Sequence, residues 1–224
     1  ALFALAAAVK ETAIALPAAL LLFEACGAAG PLDWRRIAAR QTPVWLAAAA
    51  GMLLMLASAR YRDLLGYGFT QRGVLENLFT QLNGVFYLIA RLITLRGFNI
   101  DPGLPELAAW TPMLAAQAAA LAGVAGLAVA NLRRRPELGF GALWFFLQLA
   151  PTNTFVPRLD PANDRQLYLA CWGPFLALAV AVARAAPPRR ARAAAAAVLA
   201  AFAAASLTRQ LDYRSEILLW EASV

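Results

Sequence analysis

The sequence predicts an all-α, polytopic membrane helical bundle of about six to seven spans, with one further helix lying at the outer interface. Three observations predict it. The 224 residues are 62% hydrophobic and 15% charged, with a mean hydropathy of +0.60, where a soluble domain carries about 25% charged and about half apolar residues. The apolar residues gather in long blocks separated by short polar connections, the pattern of successive membrane crossings. The arginines are placed asymmetrically in those connections.

The elements follow in order. Residues 1–9 read as the end of one span, and a second span runs from the polar step Lys10-Glu11-Thr12 to about Cys26. The chain starts at Ala1 without a methionine, so it is expected to be a segment of a longer protein, incomplete at its N-terminal side. A basic loop, 27–42, precedes a span at 43–59. Residues 78–98, LFTQLNGVFYLIARLITLRGF, are apolar enough for a crossing. Counting them as one would reverse everything downstream and place Arg133–Arg135 outside, and burying Arg91 and Arg96 at mid-bilayer costs ~2.5 kcal/mol or more each. They are therefore expected as an interfacial or re-entrant helix with both arginines snorkelling, inside one extracytoplasmic insertion, 60–109.

Spans follow at 111–131, 138–150, 166–185 and 193–208. The second of these is only ~20 Å long as a helix; Gly139, Gly141 and Pro151 suit a closely packed helix that ends at a cavity. The alanine-rich run 193–208 is ~16 residues of strong helix former beside the basic PPRRAR. The membrane domain thus covers 1–208. The tail 209–224, RQLDYRSEILLWEASV, reads as the start of a water-soluble amphipathic helical region.

The net charge of +7 sets topology and implies no nucleic-acid partner. Arg35, Arg36 and Arg40, then Arg133–Arg135, then Arg184, Arg189, Arg190 and Arg192 face only Asp33 and Glu137 in the same connections, whereas 60–109, 151–165 and 209–224 hold nine arginines and nine acids. Positive-inside placement puts the first set in the cytoplasm and the second outside. Histidine is absent, which excludes a histidine base, a Ser–His–Asp triad and histidine metal sites within these residues. Cys26 and Cys171 fall near opposite membrane faces in this topology, so no disulfide is expected.

Three constellations carry candidate chemistry. In PTNTFVPRLDPANDRQLYLA, Pro151–Ala170, Arg158 and Arg165 could supply fork-like, non-titrating donors for a phosphate at the membrane surface. Asp160 and Asp164 could orient them or accept sugar hydroxyls, and Tyr168 stands one turn into the next span. The same residue types also make an interfacial ion-pair cluster with a belt tyrosine. Lys10 and Glu11 are either a neutralised helix-end step or a phosphate cation beside a carboxylate. In NIDPGLPE, Asn99–Glu106, turn chemistry alone accounts for Asn, Asp, Pro and Gly; Asp101 is singled out by its place beside the outer surface.

Four pieces in this order, KETAIALP at 10–17, LITLRGFNIDP at 92–102 at the end of the insertion, NDRQLYLA at 163–170 and YRSEILLWEASV at 213–224, resemble bacterial relatives of the transmembrane-and-tetratricopeptide O-mannosyltransferases, in the class C glycosyltransferase superfamily. The resemblance covers essentially the whole chain. The insertion departs from the family's usual P-x-N-L-N-x-D-H type of ending. The family loop more often reads acid-His-Arg-Leu-Tyr-Leu-Pro; here Asp164, Arg165, Gln166, Leu167, Tyr168, Leu169 and Ala170 stand, so the basic residue is displaced by one. The resemblance implies an enzyme of a bacterial inner membrane that passes a sugar from a polyprenyl-phosphate donor to a protein or glycan acceptor on the extracytoplasmic side, followed by tetratricopeptide repeats. It assigns the catalytic carboxylate to a loop before Ala1, and a divalent cation, if used, to residues there; no cofactor is assigned within the chain. Arg158, Arg165 and then Lys10 are expected to steady the lipid phosphate, with Asp164 orienting them. The competing readings are a non-enzymatic membrane scaffold presenting periplasmic repeats, and a transporter, against which the scarcity of intramembrane charge counts.

Overall fold

The computed structural model describes residues 11–27, 32–95 and 101–215, with Phe3, Ala6, Gly97 and Asn99 besides, and all regular structure among them is helical. A 3-10 turn at Glu11–Ala15 leads into α1 (Leu16–Gly27), followed by α2 (Trp34–Ala57), α3 (Ala59–Gln71), α4 (Val74–Thr94), α5 (Pro112–Asn131) and α6 (Pro136–Leu149). A second 3-10 turn, Asp164–Gln166, runs into the short α7 (Leu167–Ala170), then α8 (Trp172–Ala185) and α9 (Pro188–Asp212).

Helix starts explain two departures from the expected boundaries. Asp33 caps α2, its carboxylate accepting from the Arg36 amide at 3.1 Å. The good helix formers behind that cap carry Arg35, Arg36 and Arg40 into the first turns of α2, so most of the expected loop 27–42 is helix. Pro188 opens α9 at its first turn, where a missing N–H costs nothing, and the basic residues after it are helical too. α9 continues through Asp212, so residues 209–212 belong to the same helix as the alanine-rich run rather than to a separate tail. Residues 216–224, and most of 1–10, lie outside the described residues.

Helix α6 is the centre of the bundle, lying against α1, α5 and α8. Its glycines make this possible. A Cβ on Gly139 would fall 2.6 Å from the Leu132 Cα, and one on Gly141 2.6 Å from the Gly173 carbonyl oxygen. Two neighbouring backbones therefore approach α6 more closely than any side chain would allow. Val85 and Leu88 of α4, Phe145 and Leu149 of α6, and Ala162, Leu167 and Ala170 form the apolar core.

Two bends shape the site. Between α2 and α3 the chain turns by 79° at Ser58, whose backbone is extended. Arg62 Nη1 donates to the Leu56 and Ala57 carbonyls at 3.2 and 2.9 Å, satisfying carbonyls that a continuous helix would have used. Between Asp164–Ala170 and α8 the bend is 50°. Pro174 stands four residues after Ala170, so its ring opposes the Ala170 carbonyl and removes the bond across that turn; the Trp144 indole donates to the adjacent Leu169 carbonyl at 2.8 Å.

Among the described residues two helices, α5 and α9, are long and apolar enough to cross a membrane, or up to four crossings result if each bent pair is one span. The sequence predicts six to seven; α1, α6 and α8 are 12 to 14 residues long, and the first expected span, 1–9, lies for the most part outside the described residues. Helix α4, expected as interfacial or re-entrant, is not among the candidate crossings. Its buried face carries Asn77, Thr80 and Gln81 besides Gly84, Val85 and Leu88, so it turns polar groups inward.

Candidate functional site

The 79° bend opens a cavity of about 600 Å3 between the α2–α3 corner and the loop that follows α6. Met52, Met55, Leu56, Leu64 and Leu65 line one side, and Phe155, Val156 and Leu159 the other. Arg158 and Asp160 also line it, so an otherwise apolar space carries an ion pair in its wall.

That pair belongs to a small network. Asp160 Oδ1 lies 3.8 Å from Arg158 Nε, and Asp160 Oδ2 lies 3.4 Å from Arg165 Nη2. Asn163, buried beneath, donates its amide to the same Asp160 carboxylate and accepts from Arg165 Nε at 3.4 Å. The acid shared by the two arginines is therefore Asp160, one turn of loop before the expected Asp164. Deeper still, Asn153 donates to Gln81 at 2.8 Å, to Gln166 at 3.1 Å and to the Pro161 carbonyl at 3.2 Å. Gln166 in turn faces the Asn163 amide at 3.4 Å. A chain of buried and half-buried amides thus connects α4 to the arginine-bearing loop, with Gln81 Nε2 and Gln166 Nε2 left without a hydrogen-bond partner among the described residues.

The backbone of the loop is gripped from the α3–α4 junction. Gly68 lies so close to the loop that a Cβ there would come 2.5 Å from the Pro157 carbonyl oxygen. Asn77 Nδ2 donates to the Thr154 carbonyl at 2.5 Å. Between these, Arg72 is only 2% exposed, donates Nη2 to the Arg158 carbonyl, and has Nε 3.0 Å from Glu106 Oε1. The Arg72–Glu106 contact is an ion pair by distance without a hydrogen-bond alignment at Nε, and Arg72 Nη1 is buried without a hydrogen bond.

Asp164 begins the 3-10 turn ahead of the apolar stretch that starts at Leu167, on the loop side of the bend and outside α8. Burial pushes its carboxyl up to about 6, opposed by a backbone hydrogen bond from Asn99 and by the charges of Arg209 and Arg91. The Arg91 guanidinium sits over the Tyr87 ring, 4.7 Å from its centroid. Gly97, with φ +64°, lies against that guanidinium where a Cβ would collide with it. Asp164 thus lies near Asn99 and within electrostatic reach of Arg91 on α4 and Arg209 near the end of α9.

The remaining nominated residues are placed apart from the cavity. Tyr168 is 78% exposed on α7. Asp101 is exposed in a turn, its amide donating to Asn99 at 2.9 Å and its carboxylate accepting from the Gly103 amide at 3.3 Å; from that NIDPGLPE turn it is Glu106 that reaches the site, through Arg72. Lys10 and the side chain of Glu11 lie outside the described residues. Among the described residues no group of three His, Cys, Asp or Glu gathers as a metal site. Sequence reasoning missed Arg72, Asn153, Asn163 and Gln81. Asn163 stands inside a quoted motif, while Arg72 had no signal beyond a lone arginine beside Gly73. No protein-family model, curated protein or solved structure matches the chain.

Proposed function

We propose that this chain forms the lipid-facing part of a membrane glycosyltransferase that takes its sugar from a polyprenyl-phosphate donor on the extracytoplasmic side, as the resemblance to class C enzymes implies. The observation that carries the reading is the cavity itself, an apolar volume of about 600 Å3 with Arg158 and Asp160 in its wall and Arg165 tied to the same carboxylate. An amphiphile with a long hydrocarbon tail and an anionic head has matching needs: apolar walls for the tail and a fork-shaped, permanently charged donor for the phosphate.

In the transfer, the acceptor hydroxyl oxygen bonds to the anomeric carbon, the bond from that carbon to the lipid phosphate oxygen breaks, and the phosphate leaves with the electron pair. The hydroxyl proton passes to a carboxylate base, which the resemblance assigns to a loop ahead of these residues. Arg158, steadied by Asp160, stabilises the charge that grows on the departing phosphate; Arg165 adds to the same field. The orientation has its own support. Glu24 pairs with Arg40 at 3.0 Å and Glu137 with Arg184, while Ile14 lines the cavity together with Ala150 and Pro151 beyond the far end of α6. The basic clusters therefore gather at the end of the bundle away from the cavity, and positive-inside placement turns the cavity outward.

The test is native mass spectrometry of the protein purified from its own membranes, beside an Arg158→Ala/Arg165→Ala variant. Wild-type protein is expected to retain a polyprenyl phosphate or its glycosylated form, and the variant to lose it. If both carry only bulk phospholipid, the donor-site reading fails and a membrane scaffold becomes the better account.

A further inference from the structure

We propose that Arg72 is the positioning residue of the cavity: clamped between Glu106 and the Arg158 backbone, it fixes where the Arg158 guanidinium meets a lipid phosphate. The inference rests on the donor-site reading and deepens it.

A guanidinium at 2% exposure is costly to bury, and well-packed neutral residues commonly do as well for stability alone. Arg72 nevertheless stands at the C-terminal cap of α3, with its backbone amide bonded to the Gly68 carbonyl at 3.2 Å. Its side chain reaches 86 residues along the chain to donate to the Arg158 carbonyl. That bond acts on the one residue whose own side chain lines the cavity with a positive charge, whereas Arg72 itself is not among the lining residues. The same loop is bonded by Asn77 at Thr154 and packed against Gly68 at Pro157, two contacts that do not involve Arg72. What Arg72 adds is the setting of the Arg158 backbone, and with it the direction from which the guanidinium leaves the chain. Glu106, at 57% exposure, is the counter-charge that keeps Arg72 in place from the far side.

This division of labour gives a test that a merely structural role would not pass. The protein in lipid nanodiscs is titrated with a polyprenyl phosphate and with the matching uncharged polyprenol, and the ratio of the two affinities is read. Wild type is expected to prefer the phosphate, and Arg158→Ala to lose the preference. Arg72→Gln is expected to lower the preference by about tenfold, the size of one charge-assisted hydrogen bond, while polyprenol affinity stays within about twofold. Arg72→Lys, which keeps the charge but not the fork, is expected to recover part of it. Glu106→Gln keeps the size of an exposed side chain and removes only its charge, and it is expected to lower the preference in the same direction. Arg72→Gln and Glu106→Gln both at the wild-type ratio, with Arg158→Ala still defective, would overturn this inference alone. So would parallel loss of phosphate and polyprenol binding in both variants. A wild type without preference would remove the donor-site reading and this inference with it.

Discussion

Gly68 has no room for a side chain, and the reason lies 89 residues away in sequence. Its α carbon faces the Pro157 carbonyl, and a methyl group there would come to 2.5 Å, so the loop or the end of α3 must move to admit one. Gly68→Ala is expected to lower stability by about 1–3 kcal/mol, the usual cost of overpacking, seen as a lower melting temperature in detergent. An unchanged melting temperature would show that the loop yields freely there. Residue identity made part of this site legible and hid the rest. Arg158 and Arg165 stand out because charge between two apolar runs is expensive. The choice of Asp160 over Asp164 as their common acid depends on how the loop folds back over Asn163, which no spacing rule contains. Arg72 was hidden for a related reason: a lone arginine reads as solvated until the loop that buries it is in place.

At the scale of elements, the apolar runs announced α5, α6 and the middle of α9, because long blocks of helix-forming apolar residues have few other solutions. The breaks were less legible. Ser58 carries no Pro or Gly, and its 79° bend depends on Arg62 satisfying the freed carbonyls. Pro174 is a visible breaker, but its effect appears three residues upstream at Cys171. Helix α4 buries Asn77, Thr80 and Gln81 near its start, followed by Gly84, Val85 and Leu88, the last two part of the apolar core. Asp164 lies within electrostatic reach of Arg91 on α4 and Arg209 near the end of α9. The Asp164 carboxyl is raised from 3.8 to about 6 in the folded protein. Between those values the folded state binds more protons than the unfolded chain, so this residue makes stability fall as pH rises from about 4 to about 6. Asp164→Asn is expected to flatten that part of the profile, measured as melting temperature against pH in detergent. A slope identical to wild type would show that Asp164 does not titrate in this window.

For the whole molecule, the sequence foretold an all-helical chain with candidate membrane-spanning helices, and hydropathy alone carried that far. Composition does not reveal where apolar stretches bend: among the described residues two helices, or up to four crossings with the bent pairs, are long and apolar enough to cross. The cavity was not legible at all, since it is made by a corner between α2 and α3 and a loop nearly a hundred residues later. The central claim is that this corner houses the tail of a polyprenyl phosphate beneath Arg158. The most direct measurement is photo-crosslinking with a polyprenyl phosphate carrying a reactive group in its tail, followed by peptide mapping. The account predicts labels on 52–68 and 150–160, competed away by unlabelled polyprenyl phosphate. Labels spread along α9, whose Leu199 and Leu207 are exposed as on any lipid-facing helix, and insensitive to that competition, would contradict it.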